Sequence, residues 1–255
     1  MKIIVGCLIA IITTATWAED GRHFMEKSEK ITKSHTEKAL YRLEILDQDG
    51  KLVQARDMEF FYKRQVNKEI SLIKFISPPI LQGTGLLIED ADKEANDIWL
   101  YLPATRKLRR IAGGEKTNWF MGTEFTHEDF EDYKINLYRF QFVKEAPCGA
   151  ELCNVVAAEA ENSREREASG YARKLYYIDK QSQYPVMIEY FGRNGSLMKR
   201  LTTSGLTRQG NYWRPRTLEM TNLENRRVTR LIMQSRELDG VLDDYYVSSR
   251  YLRAD

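Results

Sequence analysis

The chain is short of histidine and cysteine and has no excess of either charge, and each shortage closes off a class of function. Histidine occurs three times in 255 residues, as His23, His35 and His127. Two of these lie in an amino-terminal polar segment, so no HExxH pair or second His cluster is available to hold a catalytic metal. Lysine and arginine number 39 against 37 acidic residues, a net charge of +2 with the two signs interspersed. A nucleic-acid binder would carry a basic surplus instead. GxSxG, a phosphate-binding glycine loop and a dinucleotide fingerprint are missing too. No catalytic residue, metal or cofactor is therefore expected. Past the amino terminus, no apolar run approaches the ~20 residues that cross a bilayer. No Pro/Ser/Gly linker divides the chain, so residues 19–255 are expected to form a single domain.

What is present begins with Lys2 and the apolar run Ile3-Ile4-Val5-Gly6-Cys7-Leu8-Ile9-Ala10-Ile11-Ile12, the core of a signal peptide. Thr16 and Ala18 fit positions −3 and −1 of a peptidase site. Segment 1–18 is thus expected to be removed, leaving a periplasmic chain that starts near Glu19. Cys7 has only six residues before it and lies inside the apolar core, which argues against lipoprotein acylation. Cys148 and Cys153 remain, an even number in an exported chain, and an oxidising compartment favours a disulfide between them. Its short loop limits the stabilisation to about 2 kcal/mol.

The rest reads as all-β, preceded by one polar helix over 23–33. Runs of strand-forming residues predict strands at 38–47, 52–63, 70–76, 83–88, 98–102, 107–111, 134–144, 153–159, 172–179, 186–191, 197–204, 212–221 and 227–237. Asp49-Gly50 and Asn194-Gly195 mark hairpin turns, and Ser77-Pro78-Pro79 ends a ladder. With no long helix between them, neighbouring strands pair antiparallel as a meander. So many strands accumulate twist, and the sheet curls around a concave face.

One face of many strands is apolar or aromatic: Met58, Phe60 and Tyr62; Trp99 and Tyr101; Tyr138, Phe140 and Phe142; Val186, Ile188 and Tyr190. These residues fill an ordinary core or line a ligand cavity, and periodicity does not separate the two. Trp119-Phe120-Met121 sits between Gly113-Gly114 and Gly122 with neither strand nor helical period. Such a loop plugs the sheet or forms a lid over the cavity. Arg106, Lys107, Arg109 and Arg110 either attract phosphate head groups or an acidic partner, or keep a strand edge solvated. Glu124, His127, Glu128, Asp129, Glu131 and Asp132 invite a metal or acid–base reading. Carboxylates at the first turn of a short helix are the plainer one.

Within this region Asp97-Ile98-Trp99-Leu100-Tyr101-Leu102-Pro103, Arg109-Arg110-Ile111, Phe120-Met121-Gly122-Thr123 and Glu128-Asp129 follow one another in order. Together with Gly83-Thr84-Gly85 and the closing residues 246–252, this combination resembles the outer-membrane lipoprotein-sorting family of LolA-like carriers, along nearly the whole mature chain. The resemblance implies an incomplete, half-open antiparallel β-barrel, with short helices over the open side and an apolar cavity for acyl chains. No arginine here matches by motif the one that helps close the lid in the better-known carrier. The group nearest in motif is associated with inner-membrane transporters of the resistance-nodulation-division type, which widens the possible cargo. The expected cavity residues are Phe60, Tyr62, Trp99, Tyr101, Tyr138, Phe140, Ile188 and Tyr190, with Trp119, Phe120 and Met121 from the loop. A monomeric carrier working between an inner-membrane transporter and an outer-membrane acceptor is expected. The alternative is an accessory or lipid-sensing module of such a transporter.

Overall fold

The structure, a computed structural model, describes residues 20–91, 96–131, 135–149 and 151–254. The expected signal segment 1–18, with Cys7, and Asp132 lie outside the described residues. The first run of strands is β1 (Thr36–Leu46), β2 (Leu52–Arg64), β3 (Lys68–Ser77), β4 (Gly85–Ala91), β5 (Asp97–Leu102) and β6 (Lys107–Ile111), each antiparallel to the one before. Segment 112–137 then crosses to the opposite edge of the sheet. From there β7 (Tyr138–Pro147), β8 (Leu152–Ala160), β9 (Tyr171–Asp179), β10 (Pro185–Gly192) and β11 (Leu197–Ser204) step back inward. A separate two-stranded ribbon, β12 (Thr207–Gln209) and β13 (Tyr212–Arg214), interrupts the return. The sheet resumes with β14 (Thr217–Asn222) and closes on β1 through β15 (Val228–Leu238). The product is one 13-stranded antiparallel sheet with β6 and β7 as its two edges, a half-open meander not closed into a barrel.

Among the described residues three short helices accompany the sheet. The polar segment forms α1 (Arg22–Thr32), close to the expected 23–33. α2 (Ser163–Ala168) starts where the Asn162 side chain accepts a hydrogen bond from the Glu165 amide. α3 (Ser249–Leu252) lies near the carboxyl end. The strand expected at 212–221 is split, because Pro215 has no amide hydrogen to give the ladder. The one expected from residue 134 starts at Tyr138, after a 3-10 turn over Ile135–Leu137. Cys148 and Cys153 form a disulfide with Cα atoms 5.8 Å apart at the turn of the β7–β8 hairpin.

Both faces of β2–β5 carry buried residues, each face under a different cover, whereas the edge strand β6 exposes Lys107, Arg109 and Arg110. Met58, Ile73, Phe75, Leu86, Ile98 and Leu100 face the main core, together with residues of the crossover. The intervening Phe61, Leu72, Leu87 and Tyr101 meet Leu242, Val247 and Leu252 of the carboxyl-terminal segment. That segment explains the Gly-Thr-Gly motif. A Cβ on Gly85 would stand 2.1 Å from the Ile73 carbonyl oxygen and 2.8 Å from Leu252 Cδ1, so only glycine allows the strand and the tail this close. On β7–β9 the core-side residues Phe140, Val156, Ala158 and Tyr176 lie beneath Met25 of α1. The opposite face of β10–β15 is solvated and carries cross-strand pairs, among them Arg200 with Glu189 and Arg230 with Glu219.

Candidate functional site

The crossover 112–137 joins the two sheet edges, so it passes over the inner face and determines what that face has room for. Its centre is a small β-hairpin. Trp119 bridges Thr126, the Phe120 amide donates to the Phe125 carbonyl at 2.7 Å, and the Thr123 amide donates to the Phe120 carbonyl. Met121 and Gly122 occupy the tip with φ of 48° and 74°, the positive pair that a type I′ turn requires. This geometry aims Phe120 inward, where it is fully buried. Its ring stacks on Phe75 at 5.6 Å and meets Phe130 edge-on at 5.1 Å. Met121 also packs on the core, whereas Trp119 stays 42% exposed. The loop acts as a plug, and Phe120 is a core residue.

The acidic run that follows holds this plug in place. Glu124 receives Asn222 Nδ2 at 2.8 Å and pairs with Arg227, while its amide donates to Thr229 Oγ1. Glu128 accepts from Ser169 Oγ and the Gly170 amide, both at 2.8 Å. Asp129 caps the 3-10 turn His127–Phe130, accepts from the Tyr171 hydroxyl and pairs with Lys199. Glu131 pairs with Lys116, and His127 Nδ1 lies 2.9 Å from the Asn118 carbonyl oxygen. Burial raises Glu131 to about 7 despite Lys116, and it likewise pushes Glu128 up and His127 down. Lys199 is pulled below its ordinary value by burial although Asp129 opposes the shift. Among the described residues no group of three or more His, Cys, Asp or Glu side chains is placed to hold a metal. Asp129 and the Glu124 carboxylate thus bind the crossover to β9, β11 and β14, and the Glu124 amide binds it to β15.

Of the residues expected to line a cavity, Phe60, Ile188 and Tyr190 are brought to the inner face, and Tyr138 and Phe140 lie on it beneath α1. Trp99 and Tyr101 are not. They alternate with Ile98 and Leu100 and so point to the outer face, under the carboxyl-terminal segment. Phe120, expected in a loop that touches a ligand, fills the core. Among the described residues a cleft of about 310 Å³ stays open below the end of α1, lined by the apolar and aromatic Phe60, Tyr62, Phe130 and Leu218 and by the charged Lys33, Glu37, Arg214 and Arg236, while a wider one of about 770 Å³ lies beside the crossover at Trp119, Thr126, Tyr171 and Leu197.

Glu37, Arg214 and Arg236 were not anticipated from sequence. Glu37 accepts from Arg214 Nε at 3.1 Å and from Arg236 Nε at 2.8 Å, and Arg236 also donates to the Tyr41 hydroxyl. Burial raises the Tyr41 phenol, with Glu37 adding to the shift. Burial works against the Arg236 charge, but Tyr41 and Glu37 outweigh it and raise its pKa. A signal for the group was available. Glu37 is in phase with Ala39, Tyr41 and Leu43 on β1, a charge within a buried stripe.

The family model that matches, over residues 67–254, carries the description "-like: Uncharacterized protein". No curated protein matches the chain. Among solved structures, an outer-membrane lipoprotein-sorting protein domain from Vibrio parahaemolyticus superposes with a TM-score of 0.83 at 25% identity, over 92% of this chain and 98% of that one. A DUF1329 family protein from Desulfovibrio piger gives 0.83 at 20% identity, over 91% and 97%. A LolA superfamily protein from Nitrosomonas europaea gives 0.71 at 15% identity, over 91% and 99%. The chain belongs to the family that this model describes, and its fold is that of the outer-membrane lipoprotein-sorting domain and of the LolA superfamily protein.

Proposed function

We propose that this protein is a periplasmic carrier that holds acyl chains of lipoproteins, or lipid-like cargo, on the inner face of its sheet. It receives them from an inner-membrane transporter, of which the resistance-nodulation-division type is one form, and passes them to an outer-membrane acceptor. The observation that carries this reading is the crossover hairpin, an apolar plug laid over the apolar face of a sheet that does not close into a barrel. Swinging the hairpin out exposes Phe75 and its neighbours to a chain without breaking the sheet. Residues 19–255 work as one monomeric domain, and the Cys148–Cys153 disulfide suits an oxidising compartment.

Transfer needs no covalent step. Each buried CH₂ contributes about 0.8 kcal/mol, so donor, carrier and acceptor have to be nearly matched in affinity. The accessory or lipid-sensing reading is favoured by one feature, the full occupation of the apolar floor by Phe120. Native mass spectrometry of protein taken from its own periplasm, with lipid extraction, separates the two. Bound acyl species support carriage, and a stoichiometric transporter complex with no lipid supports the accessory role.

A further inference from the structure

The cleft beneath α1 has two unlike walls, and their chemistry defines a class of cargo. Phe60, Phe130 and Leu218 make one wall, apolar and continuous with the main core. The other is cationic. The Arg214 and Arg236 side chains are only 8% and 3% exposed, and among the described residues Glu37 is the one carboxylate that either of them bonds. The remaining charges lining the cleft are matched elsewhere: Lys33 by Glu29 and Glu69, and Asp129 by Lys199. One carboxylate between two guanidinium groups leaves a net positive charge in a poorly solvated place, a costly arrangement that an incoming anion relieves. Tyr184 lines the same cleft, its phenol within the field of Arg214, Tyr41, Arg236 and Glu37.

We propose that this cleft takes an amphiphile with an anionic head, the head seated at Arg214 and Arg236 and the chain laid along Phe60, Phe130 and Leu218. This rests on the carrier reading and specifies the cargo. A neutral head of equal size leaves the buried charge unanswered and gains only the chain's contacts. A free anion without a chain gains only the head contacts, so neither half suffices by itself. The competing explanation is that Glu37 and the two arginines only pin α1, β1, β13 and β15 together, for which the Arg214 bond to Ser34 also speaks.

The test titrates lipid-stripped full-length protein, near pH 8 where a carboxylate is ionised, with dansylaminoundecanoate and with its methyl ester. The two probes share a chain and differ by one charge. The carboxylate is expected to bind at least about tenfold more tightly, as a charge-assisted contact in a buried site should. Phosphate alone is expected not to displace it. Equal affinity for the two probes overturns the anionic head and leaves the carrier reading standing, whereas no binding of either overturns both. Glu37→Gln removes the competing carboxylate, so it should tighten the carboxylate probe several-fold and leave the ester unchanged. Unchanged affinity for both probes in the folded variant overturns the proposal in favour of a structural pin. If that variant fails to fold, the comparison of probes on the unaltered protein still decides.

Discussion

Replacing Phe120 by alanine removes a fully buried ring stacked on Phe75, which should cost about 3–5 kcal/mol in urea unfolding. If the ring competes with cargo for the inner face, the same variant should bind an acyl probe several-fold more tightly. Weaker binding by folded Phe120→Ala would make the ring a ligand contact and not a plug. Aspartate at this position is a poor test, since a charge buried among Phe75, Phe125 and Phe130 would unfold the core first. Glu131 gives a second check. Its folded pKa is raised to about 7 from 4.5, so between those values the native state keeps a proton that the unfolded chain releases. Stability from this group therefore falls as pH rises from about 4.5 to 7, by about 1.4 kcal/mol per unit at most, and is level above. Glu131→Gln should lose that slope, measured as the difference between variant and parent across pH 5–7.5. A constant difference across this range contradicts the shift. At this scale the sequence made the alternation on β2 and β10 legible, including Phe60 and Ile188. It could not place Trp99 and Tyr101, because a period of two tells which residues share a face but not which face is inner. Here both faces of β5 are covered.

Among the elements, the crossover was the least legible. Its hairpin turns on Met121, a residue type rarely chosen for positive φ, and its carboxylates find partners far away in sequence at Ser169, Lys199 and Asn222. Nothing in a local pattern reports contacts of that range. The charges have a measurable consequence, since Lys199 and Asp129 are 1% and 0% exposed at their side chains. Lys199→Met leaves Asp129 buried without its cation and should cost about 3–5 kcal/mol. Lys199→Met with Asp129→Leu should cost clearly less than the two single losses added together. Strict additivity in urea unfolding would mean that the pair does not hold the crossover down. The strands themselves were easier to read; of the departures, those at Pro215 and before Tyr138 follow from proline's missing donor and from a 3-10 turn too short to show a period, while the three-residue β12 is too short to alternate visibly.

The whole molecule is a long antiparallel meander whose edge strands β6 and β7 do not pair, so the segment that joins them has to cross from one edge to the other. Most of the meander was legible because all but one of the connections between β1 and β11 are short and carry their own turn residues; the long one between β6 and β7, and the pairing of β1 with β15, were not. The carboxyl-terminal cover on the outer face was not, since residues 239–254 show no strand alternation and gain order by packing Leu242, Val247 and Leu252 against the sheet. That cover turns the outer face of β2–β5 into a second core, so the proposed cargo is assigned to the inner face. The central claim is that this face accepts an acyl chain. The direct measurement is a fluorescence titration of lipid-stripped protein with a dansyl-labelled fatty-acyl probe, followed by competition with unlabelled palmitate. Saturable binding near micromolar, about −8 kcal/mol, with full displacement by palmitate is the result predicted. No saturable binding to stripped, folded protein would contradict it.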